Sequence, residues 1–207
     1  ELGITTIAAK YSRWVIDLNR DPENKSLYDD GRIITSLCPT TNFLGDPIYH
    51  SNQEPNLKDI ENRLEKYYWP YHNKINQLIN KFKTNFSTVF FWDAHSIRRH
   101  VPTINPKPFP DLIVGDNNKK TANKVFINTC IEQLNKSGLN LTHNTPFMGG
   151  NLTRSKGNPL KNVHAIQLEM SKDLYMKNKE TEYDHEKAVE IKSILKTTFE
   201  NIIPLIK

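Results

Sequence analysis

The 207-residue sequence predicts an α/β domain with a largely parallel or mixed sheet. Strand-like stretches rich in β-branched and aromatic residues alternate with amphipathic stretches at helical spacing, which is typical of this class. Four strand-like stretches also end in polar residues that can bind an anion, hold a metal or transfer a proton: residues 12–20, 89–96, 144–151 and 163–169. Because ligands of open α/β sheets lie beyond the carboxyl ends of strands, these residues predict one shared, enzyme-like site.

The first half of the chain predicts strands, a long loop and a helix, in that order. Residues 4–10 and 14–18 are β-branched or apolar runs, so we expect two strand segments. Residues 21–56 are rich in Pro, Asn, Asp, Gly and Tyr, and a loop of this length is typical of an active-site lid or of disorder. Its scattered large apolar residues favour a loop that packs over the site. Residues 57–83 have the apolar spacing of a helix, which Pro70 should divide in two.

The second half predicts a further series of strands and helices. A Val-Phe-Phe-Trp run predicts a core strand at residues 87–92, and four prolines predict an irregular loop at residues 96–110. The remaining expected elements are strands at 111–115, 139–142 and 165–169, a helix at 117–136 that Gly138 closes, and a C-terminal helix at 186–206.

Composition indicates a globular protein without a nucleic-acid or membrane partner. The net charge is +5 and the isoelectric point is near 9.1, but the lysines are scattered and no dense basic run is present. The sequence contains no run of eighteen apolar residues, so we expect no membrane span, and no signal peptide is visible. Cys38 and Cys130 lie far apart, so we expect free thiols in a reducing compartment, the cytoplasm. Residues 1–3 have the pattern of a helix end, so we expect one domain that begins before residue 1.

His95 and Glu169 are the candidate residues for metal binding and proton transfer. A histidine at the end of a buried strand is a good metal ligand, and Asp93 on the same strand face could orient its ring. A histidine that only closes the strand by hydrogen bonding explains the pattern equally well. Glu169 ends an apolar strand, where burial raises the pKa of a carboxyl towards neutrality and suits it to general acid/base work. The alternative is a salt-bridged strand end.

The other candidates are groups that could bind substrate. Arg13, Asn19 and Arg20 bracket one stretch and could hold a carboxylate and stabilise an oxyanion, although pairing of either arginine with Asp17 or Asp21 would also account for them. A Gly-Gly pair lets the backbone approach a ligand, or simply forms a tight turn. Further candidate substrate-binding residues are Asn144, Gly149, Gly150 and Arg154, in or near the Gly-Gly segment, and Gln167, two residues before Glu169.

Six sequence blocks, in this order, resemble the N-formylglutamate amidohydrolase family. They are SRWVIDLNR, SLCPTTNFLGDPIY, WPYH, DAHSIR, NTPFMGGNLTR and VHAIQLEMSKDLYM, and they extend from about residue 11 to residue 176. The resemblance implies a three-layer α/β/α fold of the phosphorylase/hydrolase-like type, shared with zinc carboxypeptidases and aspartoacylase. It also implies cleavage of N-formyl-L-glutamate to formate and L-glutamate, a step of histidine degradation.

The resemblance assigns a role to several of the candidates. His95 matches a metal-binding histidine and Glu169 the general acid/base, while Arg13 resembles the arginine that polarises the scissile carbonyl. Asn19 and Arg20 resemble a pair that grips the substrate carboxylate. The family's other metal ligands lie upstream of the first block, so the resemblance implies a divalent metal, zinc, whose remaining ligands precede residue 1. Two other hypotheses stay open: a deacylase for a related N-acyl amino acid, and a shortened relative that binds acidic amino acids without turnover. The sequence leaves the oligomeric state open.

Overall fold

The protein is an α/β domain built on a mixed four-stranded sheet. The computed structural model describes residues 2–28 and 35–206. The strands, in chain order, are β1 (Val89–Ile97), β2 (Leu112–Gly115), β3 (Leu141–His143) and β4 (Val163–Ser171). Their order across the sheet is β1-β4-β2-β3, and β4 runs parallel to β1 but antiparallel to β2. This arrangement confirms the α/β class and the mixed sheet.

Helices cover both faces of the sheet. They are α1 (Leu57–Arg63), α2 (Trp69–Asn85), α3 (Lys124–Asn135), α4 (Asn151–Lys156) and α5 (His185–Ile202). A π-helical turn, Leu64–Tyr68, joins α1 to α2. Pro70 lies in the first turn of α2, directly after the π-helical turn, and has no N–H to donate to a carbonyl of that turn. The predicted division of the first helix is therefore present as the π-helical turn just before Pro70, and the helical chain continues through it without a gap.

The main core lies between one sheet face and helices α3 and α5. Ile166 and Leu168 of β4 pack there against Cys130 and Leu134 of α3 and Ile191 of α5. Side chains alternate along a strand, so the neighbouring residues of β4 point to the opposite face. That second face, covered by α4, carries the polar residues discussed below.

Two sequence predictions about the N-terminal strands are wrong. Residues 4–10 and 14–18 form no strand, because a strand needs a hydrogen-bonded neighbour and these residues have no ladder partner among the described residues. The second stretch instead folds into turns, with Val15 N–H donating to Ser12 O and Arg20 N–H to Asp17 O. Buried Ile16 packs with Leu37, Cys38 and Tyr68 in a small separate cluster.

The helix predicted at residues 117–136 begins later, at Lys124. Asn117, Asn118 and Lys119 adopt positive φ angles of 50–67°, which no helix accepts. Strand β1 in turn extends beyond the predicted 87–92 to Ile97, so His95 lies within the strand. A short hairpin of β5 (Met176–Lys177) and β6 (Glu182–Tyr183) follows β4 and was not predicted.

The long stretch at residues 21–56 is a packed loop in its described part. Its residues 21–28 and 35–56 contain an isolated bridge between Thr41 and Pro47, and residues 29–34 lie outside the described part of the chain. Within residues 2–28 and 35–206, no helix is both long enough and apolar enough to cross a membrane.

Candidate active site

A cavity of about 2040 Å³ runs along β1, with lining residues from Val89 to Arg98, and includes the carboxyl ends of β1 and β4. The register of the two parallel strands places Asp93 beside Gln167 and His95 beside Glu169. All four residues share one sheet face because side chains alternate along a strand. Around the ends of these two strands the cavity lining includes Arg13, Asp17, Asn19, Arg20, Asp93, His95, Gly150, Gln167, Glu169 and Lys172. Three predicted catalytic or metal-binding residues, His95, Glu169 and Arg13, therefore face one cavity together with Asn19.

The His95 ring is held by a carboxylate on its own strand. Its Nε2 lies 2.7 Å from Asp93 Oδ1 and 3.0 Å from Asn19 Nδ2. The other oxygen of Asp93 accepts a 2.8 Å hydrogen bond from Thr153 Oγ1, so buried Asp93 is fixed from both sides. Burial disfavours an imidazolium, but the charges of Asp93 and Glu169 outweigh it and raise the pKa of His95 to about 9. In the geometry described here Nε2 therefore donates to Asp93.

Glu169 has the perturbed carboxyl that general acid/base work needs. Burial is the main cause and raises the pKa of Glu169 to about 7, with a smaller contribution in the same direction from Asp93. The positive charges of His95, Arg13 and Lys172 oppose this rise but do not cancel it. A carboxyl with a pKa near neutrality can both take and return a proton at physiological pH.

Arg13 and Arg20 share the buried carboxylate of Asp17. Arg13 Nη2 lies 2.6 Å from Asp17 Oδ2, and Arg20 Nε lies 3.4 Å from the same oxygen. Arg20 also donates to the main-chain and side-chain oxygens of Thr35, at 3.0 and 3.1 Å. The Arg13 side chain is 42% exposed, against 19% for Arg20. Pairing with Asp17, an alternative that the sequence left open, is therefore present, and Arg13 is the more accessible of the two to a ligand.

Two side-chain amides tie the cavity to the start of helix α4. Asn19 Oδ1 accepts a 2.7 Å hydrogen bond from Leu152 N–H, and Gln167 Oε1 accepts one of 2.7 Å from Gly150 N–H. A Cβ atom on Gly150 would lie only 2.4 Å from Asn19 Nδ2. Gly150 is thus required because the Asn19 side chain approaches its Cα closely. Gly149 is required for a different reason: its φ of +109° is a backbone conformation that residues with a side chain rarely adopt.

Three predicted substrate-binding residues, Asn144, Gly149 and Arg154, do not line the cavity. Asn144 adopts φ 58° and its side-chain amide binds Asp116, on the far side of β2 from β1. Arg154 turns away because its Nε donates to Gly149 O at 2.8 Å and its Nη1 to Leu27 O at 3.0 Å. Its guanidinium lies 5.1 Å from the centre of the Tyr28 ring. In this geometry the polar groups of Asn144 and Arg154 bind neighbouring loop residues, and substrate binding by these three residues stays a prediction.

Sequence reasoning did not identify Thr153, which fixes Asp93, or Lys172, which lines the cavity. Thr153 had no usable signal, because a threonine inside a short helix is ordinarily only a packing residue. Lys172 had one, since it is a cation three residues after the candidate base. Parts of the long loop also reach the cavity, where Lys25, Leu27, Tyr28 and Asn42, Phe43 and Leu44 contribute to its wall.

The described residues by themselves do not fit a zinc site. Zinc in enzymes ordinarily takes three protein ligands. No group of three or more His, Cys, Asp and Glu side chains among residues 2–28 and 35–206 lies close enough together to hold a metal. His95 remains a predicted ligand, but its Nε2 is already in contact with Asp93 and Asn19.

The chain is similar to known N-formylglutamate hydrolases along most of its length. The profile of the family described as N-formylglutamate amidohydrolase matches residues 1–176. An N-formylglutamate deformylase of Pseudomonas putida is 35% identical over 184 residues, 87% of this chain and 67% of the relative. One from Pseudomonas aeruginosa is 36% identical over 178 residues, 85% of this chain and 66% of the relative. The chain thus spans about two thirds of the length of these relatives.

Solved structures with the same fold are also known. A crystal structure of N-formylglutamate amidohydrolase from Ralstonia eutropha JMP134 superposes with a TM-score of 0.73 at 21% identity, over 91% of this chain and 72% of the other. A gene product of Agrobacterium tumefaciens superposes with a TM-score of 0.67 at 16% identity, over 94% and 69% of the two chains. At these identities the superpositions support the fold alone.

Proposed function

The chain belongs to the N-formylglutamate amidohydrolase family, and from this membership we propose that it hydrolyses the formyl amide of N-formyl-L-glutamate. The products would be formate and L-glutamate. The observation that carries the proposal is the position of Glu169: a carboxyl whose pKa is raised to about 7 lies beside His95 in a cavity that Arg13 and Asn19 also line. Hydrolysis of an amide needs such a proton-transferring group next to an oxyanion-stabilising cation.

Glu169 is the proton carrier of the proposed reaction. Its ionised form takes a proton from water as the water oxygen adds to the formyl carbon. The carbonyl oxygen then carries a negative charge, which the exposed Arg13 guanidinium stabilises. Glu169 returns the proton to the amide nitrogen as the C–N bond breaks, releasing glutamate and formate. The proton that Glu169 accepts is the one it gives away, so the residue ends in its starting state.

Substrate carboxylate binding is proposed for Asn19 and Arg20. Both line the cavity next to Arg13. Gln167 has a positioning role in this scheme, since its side chain holds Gly150 N–H at 2.7 Å and so fixes the backbone against which Asn19 packs. Small acidic acyl amino acids are therefore the proposed ligand class, with histidine degradation in the cytoplasm as the proposed setting.

Formate release from N-formyl-L-glutamate by the purified protein tests the proposal. We expect turnover by the wild-type protein and a kcat lower by a factor on the order of 10²–10⁴ for Glu169→Gln, because glutamine keeps the shape but cannot accept the proton. Exposed Glu65 on the π-helical turn provides a matched control, Glu65→Gln, which should retain wild-type kcat. Near-normal kcat in Glu169→Gln would move the proton transfer to another group.

A related N-acyl amino acid is the second candidate substrate. The cavity continues along β1 beyond Glu169 and is not closed around a formyl group. Relative kcat/KM values for N-formyl-, N-acetyl- and N-succinyl-L-glutamate decide between the two, since formyl specificity requires the first to exceed the others. Binding of all three without release of any acid would instead support the non-catalytic alternative.

Metal dependence is a separate proposal. We propose that a divalent metal, zinc, binds at His95 with ligands from outside the described residues. Elemental analysis of the purified protein and of a His95→Ala variant tests it: zinc that is retained by the wild-type protein and lost from the variant supports it, and equal metal content in both contradicts it.

A further inference from the structure

Lys172 lies at the cavity without a role in the reaction described above. It is the first residue of a short 3-10 turn, Lys172–Leu174, that directly follows β4, and it comes three residues after Glu169. The residue lines the cavity and is partly exposed. A positive charge in this position is close enough to Glu169 to lower the pKa of its carboxyl, although burial outweighs this effect.

The other cations that line the cavity already have partners. Arg13 and Arg20 bind Asp17. Lys25 pairs with Glu23 at 2.5 Å, and Arg98 lies 3.4 Å from Glu180. Lys192 lies 5.9 Å from the centre of the Tyr183 ring, and Lys196 also has an interaction partner. Within the described residues, Lys172 makes no side-chain hydrogen bond or ion pair. A cation left without a partner beside a cavity is suited to an anion that comes from solution.

The backbone that carries Lys172 is fixed by its neighbours. Ser171 N–H donates to Asp111 O at 2.9 Å, and Ser171 Oγ donates to Asp173 Oδ1 at 2.7 Å. Arg99 Nε in turn binds Asp173 at 2.8 Å. Tyr175 OH, three residues further on, lies 2.7 Å from Ser96 Oγ of β1. Because the main chain is held on both sides of Lys172, binding of a ligand here would have to order only the lysine side chain.

The proposed substrate carries two carboxylates, and the residues assigned so far form one cationic group. Arg13, Asn19 and Arg20 are close in sequence and are linked through Asp17. Arg154, a candidate substrate-binding residue from the sequence, is turned away from the cavity. Among the described cations of the cavity, Lys172 therefore offers the second carboxylate a charged side chain that lies near Glu169.

We propose that Lys172 binds the side-chain carboxylate of the acidic amino acid and so determines the preference for an N-acyl glutamate over its neutral amide. The proposal rests on the proposed function, because it assumes an acyl amino acid in this cavity. Lysine suits this task as a compact charge on a flexible stem that can follow a mobile ligand side chain.

Calorimetric binding of N-formyl-L-glutamate and N-formyl-L-glutamine tests the proposal. Both ligands are titrated into proteins that also carry Glu169→Gln, so that turnover does not consume them. Lys172→Met should weaken binding of N-formylglutamate by a factor on the order of 10–100, as expected for the loss of a charge-assisted hydrogen bond. Binding of N-formylglutamine should change by less than about threefold, because its neutral amide makes no ion pair. Lys172→Arg should restore most of the preference.

Lys161 provides the matched control. Its side chain is exposed on the turn Pro159–Lys161 and does not line the cavity. Lys161→Met makes the same change in net charge and should leave both affinities unaltered. An equal loss for the two ligands in Lys172→Met would overturn the proposal, as would no loss for either, or failure of the parent protein to bind N-formylglutamate. Formate release by the protein with intact Glu169 is measured separately. Binding of N-formylglutamate without formate release contradicts the proposed function alone, whereas formate release together with an equal loss for both ligands in Lys172→Met contradicts the role of Lys172 alone.

Discussion

Replacing Glu169 with glutamine should stabilise the protein at neutral pH while it removes the proton carrier. The ordinary pKa of a glutamate is 4.5, and burial raises that of folded Glu169 to about 7. Between these values the folded protein holds a proton that the unfolded chain releases, so the free energy of unfolding falls as pH rises. The contribution of the neutral carboxyl is fully present below about pH 4.5 and is lost as pH rises through 7. At about 1.36 kcal/mol per pH unit, the loss amounts to about 3 kcal/mol.

Urea unfolding at several pH values between 4.5 and 7 measures this effect. Glutamine resembles the neutral acid at every pH, so the stability difference between Glu169→Gln and wild type should grow by about 3 kcal/mol across the range. Glu65→Gln, at an exposed position, controls for the chemical change alone. A difference that stays constant over this range, or that grows in favour of the wild-type protein, would refute the claim that Glu169 is held neutral by burial.

Three further predictions concern the groups around Glu169. First, log kcat/KM should rise with pH up to about pH 7 and then level off, because Glu169 acts as a base only when ionised. Second, Asp93→Asn should lower the pKa of His95 from about 9 by more than about one unit in an NMR titration, because Asp93 is the largest source of the upward shift. Third, Gly150→Ala should cost about 1–3 kcal/mol of stability and weaken substrate binding, because the added Cβ meets Asn19 Nδ2 at 2.4 Å.

Each of these has an outcome that would contradict it. If log kcat/KM did not change its slope near pH 7, ionisation of Glu169 would not control the rate. An unchanged His95 titration in Asp93→Asn would mean that the 2.7 Å contact does not hold the proton. Wild-type stability and KM in Gly150→Ala would mean that the loop can move away from Asn19 without consequence.

The sequence was most informative for strands with one apolar face, because the alternation of side chains along a strand then fixes which residues face the core. The sequence predicted a strand at residues 165–169 that carries Gln167 and Glu169, and the structure buries Ile166 and Leu168 of this strand against α3 and α5 and turns Gln167 and Glu169 to the cavity. Polar residues at the ends of apolar strands thus identified the cavity edge of the sheet. The same reasoning failed for residues 4–10, since apolar composition alone does not supply a hydrogen-bonding neighbour.

The residue types in the Gly-Gly loop were recognised, but their directions were not. Asn144 and Arg154 have the right chemistry for a substrate site, yet a left-handed backbone at one and main-chain acceptors at the other direct both elsewhere. A loop of this kind is set by contacts between segments distant in sequence, such as Leu27 with Arg154. No local pattern encodes those contacts.

By itself, the sequence determined the α/β class, the order of the later strands and helices, and the identity of the strand-end residues His95 and Glu169. Local burial patterns carry that information, because a strand that buries one face must alternate along its length. Only the tertiary structure decided that Asp17 joins Arg13 to Arg20, and that Lys172 lies at the cavity near Glu169 without an ion pair to any other described residue. Those facts depend on distances between side chains and on the burial of each charge, which arise only when separate segments pack together.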